Sequence, residues 1–359
     1  MINVTKSFLP PIEEYQKYLE GIWKNSWLTN QGPLVQELET KLKEYLGVEN
    51  LLFVSNGTIA IQLAIKALEL KGEVITTPFS YVATTTSVIW ENCTPVFADI
   101  DTNSLCIDPQ KIEKLITPET SAILATHVFG HACDVFAIEE IAKKNNLKVI
   151  YDGAHAFGVK INNNSIFNYG DVSTISFHAT KLFHTVEGGA IITRDKELIK
   201  KLYLYRSFGH IGDDYFTVGI NGKNSEFHAA MGLCNLSRVD EFISQRKIVA
   251  DLYISEIKSL PLKIPEISEN LKYNYSYFPV LFRSEDELIK VKRQLEKNEV
   301  NTRRYFYPSL NNLPYVKSSA PCPVSEDISK RILCLPFYQE LTIEQTIKIC
   351  SIIKTAFDK

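Results

Sequence analysis

Lys181 is the residue of this sequence whose setting most favours covalent chemistry. It lies between two apolar, strand-like runs, residues 172–177 and 190–192, so a sheet would carry it to a cleft. A partly desolvated lysine amine can form a Schiff base with an aldehyde. A lysine at the end of a strand is more often an exposed surface charge, so the interpretation depends on the residues that accompany it.

A second candidate, Asp152, directly follows the apolar run at residues 147–151, and His155 lies three residues later. The protonated ring nitrogen of pyridoxal phosphate (PLP) needs a carboxylate opposite it, because the charged ring is the electron sink of PLP chemistry. An aspartate after a strand also commonly caps the next turn or helix. Asp152 taken alone leaves both roles open.

A turn that favours anion binding comes earlier in the chain. The strand-like run 51–54 leads through residues 55–58 into a helix-like pattern that begins at Ile59. Backbone N–H groups and the positive end of the helix dipole bind anions at such a place, and Thr58 adds a hydroxyl. The glycine spacing of a Walker loop or of a dinucleotide fingerprint is absent. The order of phosphate turn, aspartate and lysine predicts a PLP site.

With these three elements in place, the chain resembles the DegT/DnrJ/StrS family of sugar aminotransferases over nearly its whole length. The motifs that carry the resemblance are 27–33 (WLTNQGP), 55–58 (SNGT), 77–81 (TPFSY), 152–155 (DGAH), 176–181 (SFHATK), 187–189 (EGG) and 219–223 (GINGK). The resemblance implies an α/β protein with the PLP-dependent aspartate-aminotransferase (type I) fold. It also implies a large, mainly parallel sheet domain with an N-terminal arm (residues 1–240) and a smaller α+β C-terminal domain (residues 241–359).

The family's site, placed on this sequence, implies three catalytic residues, Lys181, Asp152 and His155, which also contact the cofactor. A further set of cofactor contacts is implied at Gly57, Thr58, Ile59, Tyr81, Ser176 and Asn221. Tyr81 would stack on the pyridine ring, while His155 would donate to the phenolic oxygen and Ser176 to the phosphate.

Asn221 carries a prediction about assembly. In the family this asparagine reaches the PLP phosphate of the neighbouring subunit, so the resemblance implies a homodimer with shared active sites. The pair Asn221 and Gly222 is also a leading β-turn signal, and both roles can hold together.

Five residues are expected on the substrate side, namely Thr29, Glu187, Arg303, Tyr305 and Tyr307. An arginine suits a diphosphate or the carboxylate of an amino donor, and aromatic rings suit a sugar or thymine face. Glu187 either touches the sugar or holds the glycine pair that follows it.

The activity that the resemblance implies is amino transfer in two half-reactions. Glutamate gives its amino group to PLP, with the freed Lys181 amine as general base, and a nucleotide-linked keto-sugar then accepts the group. Segments 27–33, 176–181 and 303–308 are most similar to members that convert dTDP-4-keto-6-deoxyglucose into dTDP-4-amino-4,6-dideoxyglucose.

Three other functions compare less well or equally well with these residues. Amination at C3 of the sugar stays open, because nothing local excludes it. A sugar dehydratase of this family would carry a histidine where Lys181 stands. A non-catalytic protein that senses PLP or a sugar phosphate is disfavoured by the complete set of Thr58, Asp152, Ser176 and Lys181 and by the absence of a DNA-binding segment.

Alternating patterns along the chain predict the elements that position these residues. Strands are predicted at 51–54, 73–77, 95–99, 122–128 and 147–152, with helices between them near 58–70, 81–91, 108–116 and 135–145. Such alternation indicates a mainly parallel sheet covered by helices on both faces. Two more strands are predicted within 172–193, one long helix over 225–259, a strand over 273–282, and helices over 285–298 and 341–357.

Composition excludes several classes of function. The 359 residues are 45% hydrophobic and 23% charged, with a net charge of −3, so neither nucleic acid nor an anionic membrane is an expected partner. The N-terminus has no apolar signal segment and no long apolar run occurs, so a cytoplasmic protein is expected. Seven cysteines without CxxC spacing are expected to be small core residues, and no metal site is expected.

Overall fold

The structure is a computed structural model that describes residues 1–316 and 320–358. The strands of these residues are β1 (Asn50–Val54), β2 (Glu73–Thr76), β3 (Thr94–Phe97), β4 (Thr120–Thr126), β5 (Lys148–Asp152), β6 (Lys160–Ile161), β7 (Asn164–Ser165), β8 (Val172–Ser176), β9 (Gly189–Thr193), β10 (His210–Ile211), β11 (Asp214–Tyr215), β12 (Leu271–Lys272), β13 (Pro279–Leu281) and β14 (Ile332–Cys334).

The α-helices of the same residues are α1 (Ile12–Asn25), α2 (Pro33–Leu46), α3 (Gly57–Ala67), α4 (Val82–Trp90), α5 (Pro109–Ile112), α6 (Val135–Asn145), α7 (Lys196–Arg206), α8 (Glu226–Leu236), α9 (Val239–Ile257), α10 (Glu285–Lys297), α11 (Pro323–Arg331) and α12 (Ile343–Asp358). In the part of the chain that the structure describes, no helix is both long and apolar enough to span a bilayer.

Seven strands form one sheet in the order β1-β9-β8-β5-β4-β2-β3. Strands β8, β5, β4, β2 and β3 pair in parallel, whereas β9 runs antiparallel to both of its neighbours. The carboxyl ends of β1, β5 and β8 therefore meet the amino end of β9 at one edge of the sheet. The predicted mainly parallel α/β fold is confirmed.

Both faces of this sheet are buried. Successive side chains of a strand point to opposite faces, and the side chains on each face belong to a core. Leu51 and Phe53 of β1 belong to one core, which includes residues of α2 and α6, while Leu52 and Val54 belong to a second core with residues of α3 and α7. Helices on both faces explain why the strands are apolar almost throughout, as buried parallel strands require.

A third core is built by the later part of the chain. It joins apolar residues of α9, α10, α12 and β13, and Ile2 from the N-terminus packs into it. Strands β13 and β14 pair antiparallel. All seven cysteines of the chain are buried and unpaired, as predicted for small core residues.

The predicted single helix over residues 225–259 is wrong, because α8 ends at Leu236 and α9 begins at Val239. Side chains donate hydrogen bonds to a backbone carbonyl group in the last turn of α8. Arg238 Nη1 donates to the carbonyl oxygen of Cys234 at 2.8 Å, so this carbonyl of the last turn is satisfied without a further turn of helix.

The strand predicted over residues 273–282 is confirmed only at Pro279–Leu281, and the prediction is wrong for the residues before it. Tyr275 has φ 52°, which is incompatible with a strand. The side chain of Asn274 donates instead to the carbonyl oxygens of His155 and Phe157 at 2.8 and 2.9 Å. These contacts fix an irregular segment against the large sheet.

Candidate active site

A cavity of about 800 Å³ lies at the edge where the strands β1, β5 and β8 end. In open parallel sheets this edge is where ligands bind. Most of the residues that the sequence predicts for the site line this cavity: Gly57, Thr58, Ile59, Tyr81, Asp152, His155, Ser176, Lys181, Glu187, Arg303 and Tyr305.

The loop that carries Lys181 is closed at its base by backbone hydrogen bonds. Phe177 N donates to Gly188 O at 2.7 Å, and Thr185 N donates to Phe177 O at 3.0 Å. A side chain at position 188 is excluded, because its Cβ would lie 2.1 Å from Thr185 Oγ1. The closed loop fixes the direction in which Lys181 leaves the sheet.

The amine of Lys181 lies inside the cavity, although the residue as a whole is only half-buried. Burial lowers the pKa of this amine, and the Asp152 carboxylate partly offsets the effect. The amine donates to the hydroxyl of Tyr277 at 3.3 Å. A lysine with a lowered pKa has more of the neutral form that acts as nucleophile or base.

Asp152, the last residue of β5, is 6% exposed and is held by two hydrogen bonds. Thr84 Oγ1 donates to its Oδ2 at 2.7 Å, and the N–H of Ala154 donates to its Oδ1 at 3.0 Å. Burial raises the pKa of this carboxyl group, whereas both donors and the charge of Lys181 lower it. The donors fix the carboxylate and favour its ionised form.

Thr84 is itself part of a buried chain of hydroxyl groups. Ser80 Oγ lies 2.8 Å from Thr84 Oγ1, and Thr126 Oγ1 donates to Ser80 Oγ at 3.1 Å. Since Thr84 donates to Asp152, its oxygen is free to accept from Ser80. The chain therefore directs its hydrogen bonds towards the carboxylate, which strengthens each bond in a buried setting.

The phosphate end of the predicted site is the N-terminus of α3. Asn56 caps this helix by accepting the Ile59 N–H at 2.9 Å, whereas among the described residues no acceptor pairs with the N–H groups of Gly57 and Thr58. Those groups and the Ser176 hydroxyl line the same cavity. A Cβ at Gly57 would lie 2.9 Å from Ser176 Cβ, so glycine lets the helix approach β8.

These residues fit PLP in charge and in chemistry. Lys181 offers a buried amine for the aldehyde, Asp152 a buried carboxylate for the ring nitrogen, and the start of α3 offers N–H donors for the phosphate. Within the described residues, Asp152 and Lys181 each influence the other's pKa without forming a direct ion pair.

His155 is 3% exposed, and burial lowers its pKa well below the ordinary value, so its ring is neutral. Its Nδ1 accepts the backbone N–H of Phe129 at 3.2 Å. The hydrogen of a neutral ring that accepts at Nδ1 is on Nε2, so His155 can donate from Nε2. Phe306 stacks on the ring with centroids 5.6 Å apart.

The mouth of the cavity holds residues predicted for the substrate and for ring stacking. Tyr81, just before α4, is 55% exposed and is therefore not a core tyrosine. Arg303 lies with its guanidinium 5.5 Å from the centroid of the Tyr305 ring and, in the described part of the chain, has no acidic partner. Glu187 lies 3.5 Å from His178 Nε2.

Three predicted site residues do not line the cavity of the single chain. Thr29 and Asn221 are exposed, and Tyr307 is 50% exposed with the Arg304 guanidinium 3.7 Å from its ring centroid. Asn221 pairs with Ser207 through a backbone bridge. The roles of these three residues, like those of the residues that line the cavity, remain predictions.

Sequence reasoning missed several residues that line or support the site, four of which matter most here. Thr84 holds Asp152, Tyr277 contacts Lys181, and Asn224 and His228 line the cavity. Thr84 stands in a run of three threonines without any distinguishing signal. Tyr277 stands in an aromatic-rich segment that resembles a strand, and its role depends on contacts between residues far apart in the sequence.

The buried lysine and aspartate at the carboxyl edge of a mainly parallel sheet define a PLP-dependent enzyme of the aspartate-aminotransferase fold. Residues 11–354 match the DegT/DnrJ/EryC1/StrS aminotransferase family. The chain therefore belongs to this family, and it is a PLP-dependent sugar aminotransferase.

Individual relatives agree in sequence and in structure. A dTDP-4-amino-4,6-dideoxy-D-glucose transaminase of Shigella dysenteriae is 44% identical over 366 residues, which cover 98% of both chains. The crystal structure of DesI in the presence of its TDP-sugar product matches with a TM-score of 0.94 at 29% identity, covering 99% of this chain and 92% of that one. NtdA from Bacillus subtilis, with bound cofactor PMP, matches with a TM-score of 0.90 at 28% identity, covering 97% and 82%.

Proposed function

We propose that the enzyme transfers an amino group from glutamate to C4 of dTDP-4-keto-6-deoxyglucose and so makes dTDP-4-amino-4,6-dideoxyglucose. The observation that carries the choice of sugar is the 44% identity, over 98% of both chains, with a transaminase named for that product. The observation that carries the chemistry is the buried pair of Lys181 and Asp152 in one cavity.

Asp152 and Lys181 have different roles in the proposed reaction: Asp152 stabilises a charge, and Lys181 accepts a proton. Bound PLP would supply a protonated ring that can take up the electrons left when the donor's Cα proton departs. Asp152 would face the ring nitrogen as a carboxylate, and Thr84 and the Ala154 N–H favour this charged form. The freed amine of Lys181, whose pKa is lowered by burial, accepts the Cα proton as general base.

The groups at the cavity mouth suit the anionic parts of the two substrates. Arg303 lines the cavity and, within the described residues, has no carboxylate to neutralise it. Its guanidinium suits the diphosphate of the sugar nucleotide or the carboxylate of glutamate. The Tyr305 ring beside it suits the sugar or thymine face.

We extend the proposal to assembly and location. Asn221 is exposed on the single chain, as a residue must be if it is to reach the phosphate of a neighbouring subunit. We therefore propose a homodimer in which each active site contains residues of both chains, together with a cytoplasmic location.

The test is incubation of the PLP-loaded protein with glutamate and a panel of dTDP-, UDP- and GDP-linked keto-sugars, followed by NMR of the products. We expect a new amine at C4 of the dTDP-linked 6-deoxyglucose. An amine at C3, or turnover with another nucleotide alone, would overturn the substrate proposal and leave the family assignment intact.

A further inference from the structure

Tyr277 contacts the reacting nitrogen of the enzyme. Its hydroxyl oxygen accepts a hydrogen bond from Lys181 Nζ at 3.3 Å, and no other described residue hydrogen-bonds to that amine. The same nitrogen lies 5.9 Å from the centroid of the Tyr277 ring, at the limit for a cation–π contact. The hydroxyl, and not the face of the ring, is therefore the group that acts on Lys181.

Several contacts hold Tyr277 in this place. Its ring stands edge-on to His155 with centroids 4.9 Å apart. One residue before it, Ser276 Oγ donates to the carbonyl oxygen of His155 at 2.7 Å, and Asn274 donates to the same oxygen at 2.8 Å. The irregular segment that replaces the expected strand thus positions Tyr277 relative to a predicted catalytic residue.

The hydroxyl remains neutral under all ordinary conditions, because burial raises the pKa of Tyr277 far above its usual value. A neutral phenol oxygen can accept an N–H from either form of a lysine amine. When the amine is uncharged, this contact uses one N–H and leaves the nitrogen lone pair free. When the amine is protonated, the same contact stabilises the charge.

We propose that Tyr277 is a catalytic residue that holds the freed amine of Lys181 by one N–H, so that the lone pair is presented to the Cα proton. In that step the Cα–H bond breaks, its electrons remain on the substrate and cofactor, and the proton forms a third N–H bond on Lys181 Nζ. Tyr277 itself neither gains nor loses a proton. The inference rests on the aminotransferase activity and not on which sugar is the acceptor.

The test compares Tyr277→Phe with Tyr273→Phe. The first variant removes the hydroxyl and keeps the ring against His155. The control removes a buried hydroxyl of the same segment, which donates to Phe129 O at 2.9 Å and does not touch Lys181. Thermal unfolding of both variants checks that the fold is retained.

The first readout is the titration of Lys181 in the cofactor-free protein. The rate at which this lysine is acetylated is measured at each pH by peptide mass spectrometry. We expect the midpoint to fall by about one pH unit in Tyr277→Phe, since an acceptor of the charged form is lost, and to be unchanged in Tyr273→Phe. The second readout is the loss of deuterium from 2-deuterated glutamate in the loaded enzyme without any sugar, which we expect to slow about tenfold in Tyr277→Phe alone.

A Tyr277→Phe variant with the wild-type midpoint and exchange rate would overturn the inference. Equal changes in both variants would also overturn it, because packing of the segment would then explain them. If the wild-type enzyme does not exchange glutamate, the proposed donor is wrong, and the titration still decides the role of Tyr277.

Discussion

Asp152 at the end of β5 and Lys181 in the loop after the neighbouring strand β8 face one cavity, and they influence each other's pKa without forming an ion pair. Opposite charges in a buried setting would normally pair directly. Here Thr84 and the Ala154 N–H hold the carboxylate, and Tyr277 holds the amine. These separate contacts support the proposal that the two groups act on different parts of one cofactor.

The role of Asp152 predicts the effect of removing its charge. Asp152→Asn should retain part of the cofactor affinity, because the phosphate and Lys181 contacts remain. Activity should fall about a thousandfold or more, since an amide cannot keep the ring nitrogen protonated. Steady-state kinetics with PLP in excess measures this, and a near-normal rate would remove Asp152 from the role.

Thr84 should affect the pH dependence of the activity, because it donates a hydrogen bond to Asp152. Its hydroxyl lowers the pKa of the Asp152 carboxyl, so Thr84→Val should raise that pKa. The acid limb of the pH–rate profile would then move to higher pH, and activity would be lost earlier as the pH falls. A matched control is Thr86→Val, because Thr86 lies on the same helix and bonds only to the backbone of its own helix. Equal profiles for the two variants would contradict this role.

Two buried histidines predict how stability depends on pH. Burial lowers the pKa of His127 to about 3 and that of His131 to about 4, whereas both are near 6.5 in the unfolded chain. The unfolded state therefore binds more protons below pH 6.5, and stability is lost as the pH falls from there towards those values.

Each of these histidines should lower the free energy of unfolding by about 2 kcal/mol when the pH falls from 7 to 5. His131→Gln should therefore lose less stability than the wild type between these pH values. The measurement is the free energy of unfolding in urea at both pH values. A variant with the wild-type pH dependence would show that His131 titrates normally in the folded protein.

The sequence predicted the parts of the site that depend on local pattern. The ends of β1, β5 and β8 are recognisable because an apolar run is followed by a polar residue. Parallel pairing of β5 and β8 brings Asp152 and Ser176 together, and the antiparallel strand β9 between β8 and β1 brings Gly57 to the same edge. Close packing requires glycine at the start of β9, since a Cβ at Gly189 would lie 2.6 Å from the backbone of Asn56.

Contacts between distant segments could not be predicted in the same way. Tyr277 lies 96 residues from Lys181 in the sequence, and Thr84 lies 68 residues from Asp152. Neither stands in a pattern that marks it, because threonines in a helix and tyrosines in an extended segment are common. The alternation around Tyr277 even predicted a strand, which the positive φ of Tyr275 excludes.

The proposed shared site predicts that two inactive variants can complement each other. Each site would take its lysine from one subunit and its asparagine from the other, so Lys181→Ala and Asn221→Asp would damage different halves of the shared site. The aspartate would act by placing a negative charge against the phosphate. Mixed after unfolding and refolding, they should form hybrid dimers with one intact site and partial activity. Hybrids that mass spectrometry detects but that are no more active than either parent would count against the shared site.

The identity of the lysine that binds PLP tests the central claim most directly. Borohydride reduction of the loaded enzyme fixes the cofactor to its lysine, and peptide mass spectrometry then locates the label. We expect the label on Lys181, and we expect Lys181→Ala to take no label and to lack turnover. A label on any other lysine, or full activity of Lys181→Ala, would contradict the assignment of this site.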